Sequence, residues 1–137
     1  MFLSFLRGQP RRIGLSNGRL NACPSSPNCV CSDAPTARHA IDPLHLSIEP
    51  AEAWIAVVSA VRASARTRII TETGEYLHAE YTSGFFGFVD DLELHLRPAE
   101  RIIAVRSASR LGYADFGVNR DRVENLRAIL RAQGVAS

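Results

Sequence analysis

Between Arg68 and Ser109 the chain strings together four segments in which apolar and polar residues alternate, joined by links of a few residues around Gly74, Gly84 and Pro98. Alternation with period two marks strands that bury one face, and links this short turn each strand back antiparallel onto its predecessor. The segments run roughly from Arg68 to Thr73, Tyr76 to Ser83, Phe86 to Leu96 and Arg101 to Ser109. Two amphipathic helices are available to cover the apolar face of such a sheet. One opens at Pro50 and runs to about Arg66 with Trp54, Val57, Val58 and Val61 on one stripe. The other, from about Val118 to Ala132, offers Val123, Leu126, Ile129 and Leu130. A short strand from Leu44 to Ile48 precedes the first helix.

The predicted fold class is α+β in the order β-α-β-β-β-β-α, with one antiparallel sheet and two helices on one face, and Trp54 and Leu126 in the core. TATA-binding-protein-like and helix-grip folds share that topology. Residues 1–43 hold Gly8, Pro10, Gly14, Gly18, Pro24, Pro27, Pro35 and Pro43 without a sustained apolar period. They read as an extended, turn-rich lead-in, and residues 44–137 as a single domain. A chain of 137 residues, 46% hydrophobic and 22% charged, has the size and composition of one ordinary globular domain.

Formal net charge is +2, but residues 1–32 carry Arg7, Arg11, Arg12 and Arg19 with no acid, so the remainder sums to −2. That body is not a basic nucleic-acid surface, and the arginine arm, lacking interleaved aromatics, reads as a solvated tail. The apolar start Met1 to Leu6 is shorter than the ~7–15-residue core of a secretory signal, and no run approaches the ~20 residues of a membrane span. The expectation is a cytoplasmic protein with no membrane span and no nucleic-acid partner. Walker loops, nucleotide-binding glycine fingerprints and serine elbows are missing from the sequence, which points away from NTPases, dehydrogenases and α/β-hydrolases and calls for no cofactor.

Strand alternation assigns side chains to faces. With Leu92, Leu94 and Leu96 inward, Phe88 and Asp90 fall on the apolar stripe, whereas Asp91, Glu93 and His95 point the other way. Leu77, Ala79 and Tyr81 are inward on the preceding strand, leaving His78 and Glu80 outward, and Arg106 is outward on the last. His78, Glu80, Asp91, Glu93 and His95 thus gather on the open face. They have the chemistry of a divalent-metal ring, although cross-strand charge pairs on a solvated face are the commoner outcome, and no metal site is assigned. Asp90 on an apolar stripe must find a partner among backbone amides, Ser107, Ser109, Arg106 or Arg110. Cys23, Cys29 and Cys31 are too few and wrongly spaced for a closed zinc site. Two prolines bending the Cys23–Cys29 loop can bring those thiols together, in a bridge that a reducing cytoplasm would keep open.

The strings GLSNGRLNACPSSPNCVCSD, YLHAEYTSGFFGFVDDLEL and IAVRSASRLGYADFGVNRDRVENLR strongly resemble the domain-of-unknown-function family 1499 over residues 14–131. The resemblance implies a bacterial or plastid origin and no agreed activity. Where that family usually reads CVSS this chain reads CVCS, so Cys31 is a third thiol able to compete for the bridge. The family's pattern falls here on Cys23, Pro24, Ser26, Asn28 and Cys29, on Phe88, Asp90, Asp91 and Glu93, and on Arg106, Ser107, Ser109, Arg110, Tyr113, Asp115, Asn119 and Arg120. The last group runs through a strand end, two glycine turns and a helix start dense in donors, a setting suited to an anion. The leading expectation is a binding domain for an unknown small molecule or protein, with a polar pocket formed by FVDDLE, RSASR and GYADFGVNR and covered by CPSSPNC, and with Arg110 reaching into it. Two alternatives stand beside it: an enzyme with Asp90 or Asp91 as acid/base and an Arg106 or Arg110 anion clamp, and motifs that only hold the fold.

Overall fold

A computed structural model of the chain describes Gly8 and residues 12–137. Met1 to Leu6, Arg7 and Arg11, on which the leader and arginine-arm readings rest, lie outside the described residues. The strands β1 (Leu15–Ser16) and β2 (Arg19–Leu20) form a small hairpin. There follow β3 (Cys29–Cys31), β4 (Leu44–His45), α1 (Pro50–Arg62), β5 (Thr67–Glu72), β6 (Tyr76–Thr82), β7 (Val89–Arg97), β8 (Ile102–Ser109) and α2 (Val118–Ala132). One sheet with the order β3-β8-β7-β6-β5 carries the fold, every pairing is antiparallel, and β4 continues the β3 edge by pairing the far end of β8.

The chain is therefore the α+β protein the alternation predicts, with β3 added to the sheet from residues read as lead-in. Leu77, Ala79, Leu92, Leu94, Ile103 and Val105 face α1 and α2, whose Trp54, Val57, Val61, Val123, Leu126 and Leu130 complete one core. Pro50 sits where its missing N–H costs nothing, and the Trp54 indole donates to Thr73 O at 3.0 Å, which seats the helix on the β5–β6 turn. Helix α1 stops at Arg62 rather than Arg66, because the chain must turn back into β5; Arg66 takes the left-handed φ of 51° at that reversal.

Two further departures bear on function. Strand β7 begins at Val89, not Phe86: residues 83–88 close into a loop, with Ser83 and Phe88 paired at 2.8 Å and Gly87 at φ 71°. Phe86 and Phe88 are thereby lifted out of the sheet, and Phe88, expected on the core stripe, is 43% exposed. The second departure concerns the face expected to be open. Residues 14–34 fold back over it: the Gly14 amide donates to Glu93 Oε1 at 2.9 Å, and Leu20 packs with Cys31 and Ala104. Glu93 and Arg106 lie against this segment, and His78, Asp91 and His95 on the same face are buried too, not solvated.

Candidate functional site

Beneath that N-terminal cover, the strand register lines up charges of opposite sign. Glu93 faces Arg106 across β7 and β8, and Arg106 Nη1 donates to Glu93 Oε2 at 3.3 Å, with both side chains fully buried. The Tyr76 hydroxyl donates to the other Glu93 oxygen at 2.6 Å; burial and this carboxylate push the phenol well above its ordinary pKa. Among the described residues Arg106 Nε has no partner, a buried donor left unsatisfied. Asp91 accepts from Arg110 Nε and Nη2, each at 2.8 Å, and pairs with His78 Nε2 at 2.6 Å. Arg110 Nη2 also reaches Glu80 at 2.6 Å. Burial alone would raise the Asp91 pKa, but hydrogen bonds from Arg110 and His78, with the Arg110 charge, hold it below the usual carboxylate range. Farther along, Arg97 makes a two-pronged pair with Asp33 of the cover, at 2.8 and 2.5 Å.

Asp91 is thus paired with Arg110, and Glu93 with Arg106. Arg110 is 7% exposed and does not reach into a pocket, contrary to the expectation for a residue ending its strand. The candidate metal ring is spent in the same way, since Glu80, Asp91 and Glu93 each meet an arginine. Among the described residues, no three His, Cys, Asp or Glu side chains are arranged to hold a metal ion.

The other candidates lie across the sheet, at the start of α2. Gly117 enters the helix at φ 81°, and the Asp115 carboxylate accepts from the Gly117 amide at 2.9 Å and the Asn119 amide at 3.1 Å. That internal carboxylate fills the anion site expected at this helix N-terminus, and those donors lower its pKa against the opposing effect of burial. Asn119, fully buried, donates to Asp115, to Ser109 Oγ at 2.9 Å and to the Asn28 carbonyl at 3.2 Å, while Ser107 Oγ donates to its side-chain oxygen at 2.7 Å. Asn28 in turn donates to Gly112 O at 2.9 Å. The CPSSPNC segment therefore clamps the Gly112 turn, and none of its residues lines the main cleft. Cys23 and Cys29 are joined in a disulfide, and Cys31 is free and buried, its thiol pushed up to about 11 chiefly by that burial.

A family model, "Protein of unknown function (DUF1499)", matches residues 19–130. The chain belongs to the DUF1499 family. No curated protein and no solved structure matches it. In this DUF1499 chain the three signature strings meet at one end of the sheet, where a cleft of about 680 Å³ opens between the β6–β7 loop and the β8–α2 loop. Its walls include Phe86, Phe88 and Phe116, and its floor holds Tyr81, Asp90, Ser109 and Arg122. Asp90 pairs with Arg122 Nη2 at 2.8 Å, not with Arg106 or Arg110, and the guanidinium lies 4.7 Å from the centre of the Tyr81 ring. Arg122 Nη1 donates to Asn119 and Ser107 as well. Tyr113 and Arg120 stay outside: the Tyr113 hydroxyl accepts from Arg38 at 3.2 Å, and Arg120 donates to Ala40 O at 3.0 Å.

The sequence reading missed Arg122, Tyr81 and Phe116 as site residues. Arg122 had a usable signal, since it stands four positions before Leu126, on the side of the helix expected to face the sheet.

Proposed function

We propose that the domain is a non-catalytic binding module, and that its site is the cleft between the β6–β7 and β8–α2 loops. The observation that carries this reading is the cleft itself, whose volume of about 680 Å³ falls within the range of small-molecule sites and whose aromatic walls end on one fixed ion pair. Such a lining suits a ligand with an apolar body and one hydrogen-bonding end. The body would lie against Phe86, Phe88 and Phe116, and the end would meet Asp90, Arg122 and Ser109.

This shifts the expected ligand from anionic to largely apolar, because the arginines nominated as an anion clamp are committed to carboxylates. The enzyme alternative loses support for the same reason: Asp91 is buried and held ionised among its partners, and Asp90 is paired. Asp91, Glu93, Arg106 and Arg110 belong in this reading to the scaffold. No described helix is long and apolar enough to cross a membrane. The Cys23–Cys29 disulfide favours an oxidising compartment over the cytoplasm expected from the sequence.

Nile red, a neutral dye that fluoresces in apolar surroundings, tests the cleft. Saturable binding to the parent chain, weakened about tenfold or more by Phe86→Ala with Phe88→Ala, is the expected result. Unsaturable fluorescence, or equal binding by the folded double variant, would remove the cleft as the site.

A further inference from the structure

Two loops place large aromatic side chains outside the fold at the same end of the sheet. Phe85 of the β6–β7 loop is 86% exposed; Tyr113 and Phe116 of the β8–α2 loop are 64% and 96% exposed. Single exposed apolar residues are ordinary, but three from two separate loops walling one cleft make a protruding apolar rim. Arginines flank it. Arg66 lies against Gly84 and donates to Thr82 O, Arg38 donates to the Tyr113 hydroxyl, and Arg120, which lines a shallow cavity with Arg38 and Phe116, donates to Ala40 O. Each spends its hydrogen bond on a neutral oxygen, and none forms an ion pair among the described residues. The carboxylates of the cleft, Asp90 and Asp115, are taken up by Arg122 and by the first amides of α2.

We propose that this end of the molecule docks on an anionic lipid bilayer, with Phe85, Tyr113 and Phe116 entering the boundary between headgroups and acyl chains and Arg38, Arg66 and Arg120 meeting lipid phosphates. Aromatic rings, tyrosine above all, are suited to that boundary, and guanidinium forks match phosphate oxygens. Charge decides against a second copy of the chain as the occupant: two-fold pairing of this surface would bring one arginine-bearing patch against another of the same sign. The proposal stands beside the ligand-binding reading, not on it: Phe116 and Arg66 also line the cleft, but Phe85, Tyr113, Arg38 and Arg120 lie outside it.

The full chain is sedimented with vesicles of phosphatidylcholine and phosphatidylglycerol in about equal parts, and with phosphatidylcholine alone. Expected is binding to the mixed vesicles that weakens on added salt and is much weaker on the neutral ones. Phe85→Ser lowers the affinity about tenfold, and Arg38→Gln and Arg120→Gln lower it about fivefold each, while thermal midpoints and Nile red binding stay at the parent's values. Parent chain left in the supernatant with mixed vesicles, or undiminished binding by Phe85→Ser, overturns the proposal. So does a dimer in solution that Phe85→Ser dissociates without any vesicle binding, which would make the rim a self-association surface.

Discussion

Arg110 holds two carboxylates at once: Glu80 also meets the exposed Arg68 at 3.7 Å, but Asp91 has no other arginine among the described residues. Replacing it with alanine strands Asp91 as a buried charge with only His78 beside it, so Arg110→Ala is expected to lose about 3–5 kcal/mol in a denaturant titration. Arg120→Ala gives up one exposed contact to a carbonyl and should fall within about 0.5 kcal/mol of the parent. Equal, small losses for both would mean that the Arg110 network is not closed in solution. At this scale the sequence was half legible. Alternation identified Asp91, Glu93, His78 and Arg106 as sharing one face, but not that the face is covered, because covering depends on a distant segment, 79 positions away in sequence at the Gly14–Glu93 contact.

At the scale of elements, the entry to α2 is where one backbone conformation positions several site residues. Gly117 sits at φ 81°, and a β-carbon built there meets nothing within 4 Å, so substitution brings conformational strain without a clash. Gly117→Ala is expected to cost about 1–2 kcal/mol and to loosen the Asp115 and Asn119 contacts that fix the cleft wall. Denaturant midpoints of parent and variant check it; an unchanged midpoint would show that the turn relaxes freely. Both helices were readable from apolar spacing and the proline start. The β6–β7 loop was not: Phe86 and Phe88 carry the pattern of a strand, and only hydrogen bonding between Ser83 and Phe88, with the left-handed Gly87, takes them out of the sheet.

For the whole molecule, the N-terminal cover makes a third layer, and the Cys23–Cys29 disulfide anchors it next to β3. Reduction frees a short loop and should lower stability by about 2 kcal/mol while far-ultraviolet circular dichroism stays native. Cys31, buried and mostly protonated at neutral pH, should resist alkylation until the chain unfolds. Mass spectrometry after native-state alkylation reads both outcomes, and rapid native labelling of Cys31 would contradict its place beneath the cover.

Local pattern was enough to determine the four consecutive strands and two helices, their order and the side of the sheet on which most of their residues stand, since period and turn chemistry act over a few neighbouring positions; it did not show β3 or the loop that holds Phe86 and Phe88. Tertiary structure alone decided that both faces of the sheet are covered, which arginine answers which aspartate and where the cleft opens. Those depend on the register of β7 against β8 and on α2 and the N-terminal segment arriving from opposite ends of the chain. Asp90 shows the difference: its inward placement follows from alternation, whereas its partner Arg122, 32 residues away, is set by how a helix lies on a sheet.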